Sequence, residues 1–317
     1  MSTKDEKTLI NGWAGFHLSP LLVLFLGIFA VSTSSVFIRI AQHEASSLEI
    51  AAFRLSIASL FLIPFVWRQR AELKRLKIAE WLLVLLSGAF LAAHFATWIS
   101  SLAYTSVASS VVLVTTTPLW VALLSPVFLR ERLSGRIWLG LLVALAGGVI
   151  VGTSQACMWG SLGLSCPGLA NLSSGKAFLG NSLALIGALM AAGYMIVGRR
   201  LRTNLSLIIY IGTVYPAAAL FLDALAWMNG GHIAGFSGLT ILCFVGLALI
   251  PQLLGHTSYN YALGYLPAAY VSVATLAEPI GATILAVLVL GELPTLLEII
   301  GGIIILGGIW IASWHRV

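Results

Sequence analysis

The chain repeats part of its own sequence within an almost continuous series of apolar segments. When residues 102–151 are aligned with residues 263–312 without a gap, twelve of the fifty positions are identical. The identical pairs include polar and turn-forming residues: Tyr104 with Tyr265, Pro118 with Pro279, Glu131 with Glu292, and Gly140 with Gly301. Self-similarity at one fixed separation indicates that a structural unit has been duplicated. We therefore expect two related halves.

The composition indicates that both halves lie within a membrane. The chain is 59% hydrophobic and 9% charged, with a mean hydropathy of +1.01, which excludes an ordinary soluble domain. Apolar runs near the ~20 residues that cross a hydrocarbon core recur along the sequence. The runs are 19–41, 48–67, 79–103, 106–129, 136–152, 178–198, 205–228, 236–262, 267–290 and 295–314. They lack the alternation of barrel strands, so we predict an all-α integral membrane protein with ten transmembrane helices.

The distribution of positive charge predicts the orientation. Under the ten-helix assignment, fourteen of the seventeen Lys and Arg residues lie on one side. The positive-inside rule places that side, and both termini, in the cytoplasm. The net charge of +6 is then explained by these loops without a nucleic-acid partner. We expect residues 1–18 to be a cytoplasmic N-terminus and not a cleaved signal peptide, and we expect a multi-pass protein of the cell inner membrane.

The repeat and the helix count together predict an inverted architecture. Each half contains five helices, an odd number, so the second copy enters the membrane from the opposite side. The expected halves are residues 19–152 and 178–314, joined by an external loop at 153–177. Inversion also explains why Glu131 lies in an arginine-rich loop while its counterpart Glu292 lies in a loop without Lys or Arg.

Several short motifs resemble those of a known family. The motifs are Glu278-Pro279, Leu290-Gly291-Glu292, Gly301-Gly302 and Gly307-Gly308, with first-half counterparts at Pro118, Arg130-Glu131 and Gly147-Gly148; Arg54 also fits. In both halves the chain resembles an EamA-type member of the drug/metabolite transporter superfamily. That resemblance implies a ten-helix secondary carrier, often an exporter of amino acids or related metabolites, and it leaves the substrate open. The segment 153–177 is longer than a minimal connection in such folds.

Polar and aromatic residues inside the apolar runs are the expected substrate contacts, because carriers of this type bind their substrate near the midplane between the halves. His94 and Trp98 share one face of helix 3, and Trp98 aligns with Tyr259 across the repeat. The expected substrate-binding residues are Ser34, His94, Trp98, Thr117, Tyr194, Gln252, His256 and Tyr259. Interfacial anchoring of the aromatic rings and interhelical hydrogen bonding of the histidines remain open alternatives.

Four further residues are expected to take part in coupling or gating. Glu278 lies midway along helix 9, and a carboxylate at that depth should face water or a partner. It is either a proton-coupled or ammonium-binding group, or a structural one that holds a bent helix. Arg54 either binds a substrate carboxylate or has a structural or outward-reaching gate role. Pro118 and Pro279 are expected bend points.

Other features of the sequence narrow the function. Cys157 and Cys166 both lie in the predicted external loop, which permits a disulfide as a hypothesis. No ligand spacing predicts a metal site, no Walker motif is present, and no cofactor is implied. We expect a non-enzymatic secondary active transporter that exports amino acids or related amphipathic metabolites by alternating access. An uptake carrier or facilitator, a membrane-embedded enzyme and an accessory subunit are the alternatives. The expected partners are a small-molecule substrate, protons and membrane lipid, and a homodimer stays open.

Overall fold

The computed structural model describes residues 19–129, 134–154, 158–160, 163–165 and 175–313, and nearly all of these residues are helical. The helices are α1 Pro20–Ala41, α2 Ser47–Arg68, α3 Ile78–Ser101, α4 Val107–Phe128, α5 Gly135–Thr153, α6 Gly175–Arg202, α7 Leu207–Met228, α8 Gly238–Ala262, α9 Ala268–Leu290 and α10 Leu296–Ser313. A short helix, Arg70–Leu73, follows α2.

Within the described residues, eight of these helices are long and apolar enough to cross a membrane, with lengths of 22 to 28 residues. The other two, α5 and α10, contain shorter apolar stretches at Gly135–Val151 and Leu296–Gly308. The chain is therefore a multi-pass, helical membrane protein, and each of the ten predicted apolar runs coincides with one helix. The count of ten crossings stays a prediction.

Two details differ from the sequence-based expectation. The predicted external loop contains a small antiparallel hairpin in which β1, Met158–Gly160, pairs with β2, Gly163–Ser165. Helix α6 also continues to Arg202, so Arg199 and Arg200 lie in its last turn and not in the following loop. Cations in a last turn interact favourably with the unpaired carbonyls and the dipole of the helix end.

Within the described residues, five of the ten helices begin at a serine whose hydroxyl caps the helix. In each case the serine hydroxyl accepts a hydrogen bond from the backbone N–H three residues later, which satisfies one of the free N–H groups of a helix start. These caps are Ser46, Ser106, Ser134, Ser206 and Ser237. At Ser46 the Glu49 side chain reciprocates by accepting the Ser46 backbone N–H at 2.7 Å, which completes a capping box.

The helices pack mainly in pairs that join the two halves: α5 with α10, α3 with α6, α2 with α7, and α1 with α8. The α5–α10 pair makes the closest backbone approach. A Cβ atom on Gly301 would lie 2.6 Å from the carbonyl oxygen of Gly147, and a Cβ on Gly308 would lie 2.5 Å from that of Gly140. Glycine at these positions permits close packing, which drives helix association where lipid supplies no hydrophobic difference.

The described loops contact one another in two groups. At what we call the arginine-rich end (residues 69–77, 203–206 and 263–267), Ser206 donates its backbone N–H to Glu72 at 2.7 Å. At the opposite end (residues 42–46, 102–106, 229–237 and 291–295), Ser237 donates its backbone N–H to Glu44 at 2.9 Å. Successive helices that cross a membrane in opposite directions place their connecting loops in two such groups.

The duplication recurs as a repeated side-chain contact. Arg39 at the end of α1 donates to the carbonyl of Leu102 at 2.6 Å, and Arg199 at the end of α6 donates to that of Leu263 at 2.8 Å. Leu102 and Leu263 are an identical pair in the sequence repeat. The first contact lies at the opposite end and the second at the arginine-rich end. An equivalent hydrogen bond from an arginine to a backbone carbonyl is thus made once in each half.

The α5–α10 seam generates a matched stability test. Replacement Gly301→Ala is expected to lower the stability of the folded protein in detergent by about 1–3 kcal/mol, since its Cβ overlaps a backbone carbonyl that cannot withdraw. In Gly302→Ala the new Cβ would meet no atom within 4 Å, so helix propensity makes this change neutral or stabilising by up to ~1 kcal/mol. Thermal unfolding of the two variants checks this. Equal transition midpoints would contradict the packing.

Candidate functional site

A cavity of about 40 Å³ lies where six helices from both halves meet. Its walls come from α1, α3 and α4 of the first half and from α6, α8 and α9 of the second. The lining residues are Val31, His94, Trp98, Val114, Thr115, Thr117, Ala191, Met195, His256, Tyr259, Thr275 and Glu278. Six of the predicted site residues are among them.

Residues related by the repeat line this cavity together. Three lining pairs are separated by the 161 residues of the sequence repeat: Trp98 with Tyr259, Val114 with Thr275, and Thr117 with Glu278. The two halves therefore contribute sequence-equivalent residues to the same cavity. Thr275 was not predicted from the sequence, and the signal that identifies it is the repeat separation applied to Val114.

Helix breaks at equivalent positions bring two of these residues to the cavity. Helix α4 is interrupted by a turn at Thr115 and Thr116, and α9 by a 3₁₀ turn at Thr275–Ala277. Each break is followed by a proline, Pro118 or Pro279, near the start of the continuing helix. Proline has no N–H for the preceding turn and clashes with its carbonyl, so α-helical hydrogen bonding is interrupted there. The prolines end the first helical segments, and Thr117 and Glu278 begin the next.

Glu278 is held at the cavity wall by one neutral side chain. Its carboxyl is 9% exposed, and Oε1 accepts a hydrogen bond from the Tyr259 hydroxyl at 2.7 Å. Within the part of the chain that the structure describes, no Lys or Arg forms an ion pair with it. A carboxylate at this depth costs ~2.5–3.5 kcal/mol on insertion scales, so it faces a partner or water. Here the partner is a hydroxyl from α8.

Helix α8 contains a π-helical stretch, Ala248–His256, around Pro251. The wider turn changes which side chains share a face, so the three expected substrate-binding residues of this helix do not all reach the cavity. His256 and Tyr259 line the cavity, whereas Gln252 lies beside Arg54. Such π stretches depend on how a helix packs around a proline, and no local spacing in the sequence specifies one.

Several of the other polar groups on the cavity wall belong to aromatic side chains. His94 lies 2.9 Å through Nδ1 from the carbonyl oxygen of Gly187, and because a carbonyl only accepts, Nδ1 carries the proton. The His94 ring stacks on Trp98 with centroids 5.8 Å apart, and His256 lies 6.3 Å from His94 and 5.7 Å from Tyr259. The indole N–H of Trp98 is buried and makes no hydrogen bond. The wall is suited to an apolar body with a few polar groups.

Arg54 lies behind this wall and not on it. Its side chain is 0% exposed and donates to Gln252 Oε1 at 2.8 Å and to the Ser34 hydroxyl at 3.2 Å. The guanidinium carbon lies 4.1 Å from the centroid of the Phe95 ring. Three predicted site residues, Ser34, Arg54 and Gln252, thus form one buried cluster. The side chain does not reach outward to either end of the bundle.

The other predicted residues lie outside the cavity. The Tyr194 hydroxyl donates to Asn260 Oδ1 at 2.8 Å, which ties α6 to α8. Pro118 lines a separate apolar cavity of about 20 Å³ between α4, α5, α9 and α10. Pro279 is buried next to Glu278.

Cys157 and Cys166 lie outside the described residues, and Cys243 is a buried free thiol. Among the described residues, no group of three His, Cys, Asp or Glu is placed to hold a metal.

Comparison with known proteins identifies the family. The sequence model of the EamA-like transporter family matches residues 18–153 and again residues 178–314. The chain belongs to this family. An uncharacterized transporter of Archaeoglobus fulgidus is 24% identical over 296 residues, which covers 92% of this chain and 96% of the relative. The uncharacterized transporter YdfC of Bacillus subtilis is 25% identical over 263 residues, covering 82% and 79%.

A solved structure, described only as the crystal structure of a protein, has the same fold as this EamA-like transporter. Its TM-score is 0.68 at 20% identity, and the match covers 93% of this chain and 96% of the solved one. At that identity the likeness concerns the fold alone. Membership of a transporter family, together with the described transmembrane helices, points to a non-enzymatic membrane transporter.

Proposed function

We propose that this EamA-like protein is a secondary active transporter that moves amino acids or related small amphipathic metabolites by alternating access. The observation that carries the proposal is the cavity between the halves, lined by repeat-related residues and containing one buried carboxylate. A solute bound on the pseudo-symmetry axis meets equivalent walls from either half. Rocking of one half against the other would then expose it first to one side and then to the other.

The size of the cavity supports a closed conformation. A volume of about 40 Å³ holds only a few waters at the ~10–15 Å³ that each requires, so a metabolite cannot enter without helix movement. The breaks in α4 and α9 and the π-helical part of α8 lack continuous α-helical hydrogen bonds beside the cavity. These positions are where bending requires the least change, because their helical ladders are already interrupted.

The proposal includes the topology and direction of transport. It assigns ten spans, two inverted five-helix repeats at residues 19–152 and 178–314, cytoplasmic termini, and the inner membrane. The clustering of arginines at one end and the paired Arg39 and Arg199 contacts support it. Export follows from the family resemblance. Uptake or facilitated diffusion on the same fold is the second candidate.

Glu278 is assigned the coupling role. A carboxyl held by a single neutral hydroxyl can release its proton to water in the cavity, or can bind the ammonium group of a solute. Tyr259 would then shield it in the closed conformation and give way when solute or water enters. Both uses require an ionisable group at this position, which an amide cannot replace.

Replacement Glu278→Gln is therefore expected to reduce proton-driven net transport at least about tenfold, because the site loses ~1.4 kcal/mol or more of coupling or binding free energy. Purified protein would be reconstituted in liposomes, and a panel of the standard amino acids would be assayed for flux driven by a pH gradient and for counterflow. Retained counterflow with lost pH-driven flux assigns coupling. Loss of both assigns solute binding.

The matched control is Asp223→Asn, another acid-to-amide change within a predicted span, whose carboxylate bonds to Ser56 and does not line the cavity. We expect normal transport in this control and a folded yield equal to that of Glu278→Gln. Normal pH-driven flux in Glu278→Gln at every pH would contradict the assigned role.

The topology has its own test. Single cysteines replacing Lys74 and Thr203, at the arginine-rich end, are expected to react with an impermeant maleimide only after cells are permeabilised. A cysteine replacing Ile233, which is 91% exposed at the opposite end, is expected to react from outside intact cells. Each would be placed in a background without the native cysteines. Labelling of Lys74→Cys and Thr203→Cys on different sides would contradict the inverted repeat.

A further inference from the structure

Among the described residues, Arg54 is a buried cation without an ion-pair partner, and Glu278, the carboxylate that acts on it electrostatically, lies beyond ion-pair distance. Arg54 is 0% exposed, and no carboxylate of the described residues lies within ion-pair distance of it. Its contacts are neutral: an amide oxygen, a hydroxyl and an aromatic face. A buried ion that makes no direct ion pair is destabilised relative to one that does, so a side chain kept in this state is expected to meet an anion at some stage of its function.

The same cluster contains hydrogen-bond donors that are not used. Nη2 of Arg54 and Nε2 of Gln252 are buried and make no hydrogen bond within the described residues. They belong to side chains already joined by the Arg54 Nε to Gln252 Oε1 bond at 2.8 Å, so the two free donors come from one rigid unit. Buried donors are nearly always satisfied in native structures, so an unsatisfied pair on two bonded side chains indicates an absent acceptor.

The ring of Phe95 contacts both this cluster and a residue that lines the solute cavity. Phe95 packs on Arg54 through its face and against His256 edge-on, with ring centroids 5.2 Å apart. Trp98, whose indole N–H is also unpaired, lies 6.4 Å from Phe95 and lines the cavity. A shift of α3 relative to α8 would therefore join the cavity to the free donors. The anion would then lie among Arg54, Gln252 and Trp98.

We propose that Arg54 and Gln252 form an anion subsite that binds the carboxylate of the transported solute. The proposal rests on the function proposed above and adds a requirement that the solute carry a carboxylate. Glu278 lies on α9, whereas Arg54 and Gln252 lie on α2 and α8, so a solute with an ammonium group would have its opposite charges bound by different helices. A planar guanidinium is suited to this task, since its fixed fork matches a carboxylate.

The test uses acetate and acetamide, which have the same shape and differ in charge. The full-length protein in detergent would be melted at increasing concentrations, up to about 100 mM, of sodium acetate, of acetamide, and of sodium chloride. We expect acetate to raise the melting temperature by about 2 °C or more, and acetamide to leave it unchanged. An equal response to acetate and acetamide would overturn the subsite.

Two variants assign the effect to Arg54. In Arg54→Gln the acetate shift should be lost, whereas in Arg70→Gln, an arginine outside the long helices, it should persist. Arg54→Lys keeps the charge without the planar fork and should retain a reduced shift, which keeps the test valid where Arg54→Gln does not fold. Persistence of the full shift in a folded Arg54→Gln variant would overturn the proposal.

The same measurements distinguish a carboxylate from an inorganic anion as the ligand. They also distinguish failure of the subsite from failure of the proposed transporter function. An Arg54-dependent shift larger with acetate than with chloride supports a carboxylate subsite, while an equal shift with chloride shows an inorganic anion site and overturns the solute assignment. Amino-acid counterflow distinguishes the remaining outcomes. Transport without an acetate-specific shift would support the transporter function and contradict the anion subsite. An acetate shift without any transport would support the anion subsite and contradict the transporter function.

Discussion

The cost of placing ionisable groups inside a lipid bilayer governs the design of this protein. A helical bundle satisfies its own backbone, so the charged side chains that remain in its interior must be satisfied one by one. The bundle buries Glu278 and Arg54 near the seam between the halves and gives each only neutral partners. Among the described residues, neither side chain has an ion-pair partner.

The duplicated sequence explains why these groups lie near the same cavity. The repeat places a proline-terminated break at equivalent points in α4 and α9, and the residues before the prolines, Thr117 and Glu278, face one space. Trp98 and Tyr259 occupy equivalent positions on the neighbouring helices. The halves have diverged in chemistry at these points, since a threonine stands opposite the carboxylate and a tyrosine opposite the tryptophan. An asymmetric solute can therefore be oriented by a nearly symmetric framework.

Much of this arrangement was predictable from the sequence, because hydrophobic length and internal repetition act over long, regular segments. Each predicted apolar run coincides with a helix, and six of the residues that the sequence predicts for the site line one cavity: His94, Trp98, Thr117, His256, Tyr259 and Glu278. The π-helical stretch around Pro251, the Tyr259–Glu278 hydrogen bond and the Arg54–Gln252 pair were not predictable. They depend on how α8 packs against α2 and α9, which no local spacing encodes.

The central claim is that one cavity between the halves is reached from both sides of the membrane in turn. The direct measurement is labelling of Ala191→Cys, a cavity position, by an impermeant maleimide in right-side-out and inside-out vesicles. The background lacks Cys157, Cys166 and Cys243, and Ala218→Cys, at a position 0% exposed on α7, is the unreactive control. The account predicts labelling from both sides, slowed by a transported amino acid. Labelling from one side only, whatever solute is present, would contradict it.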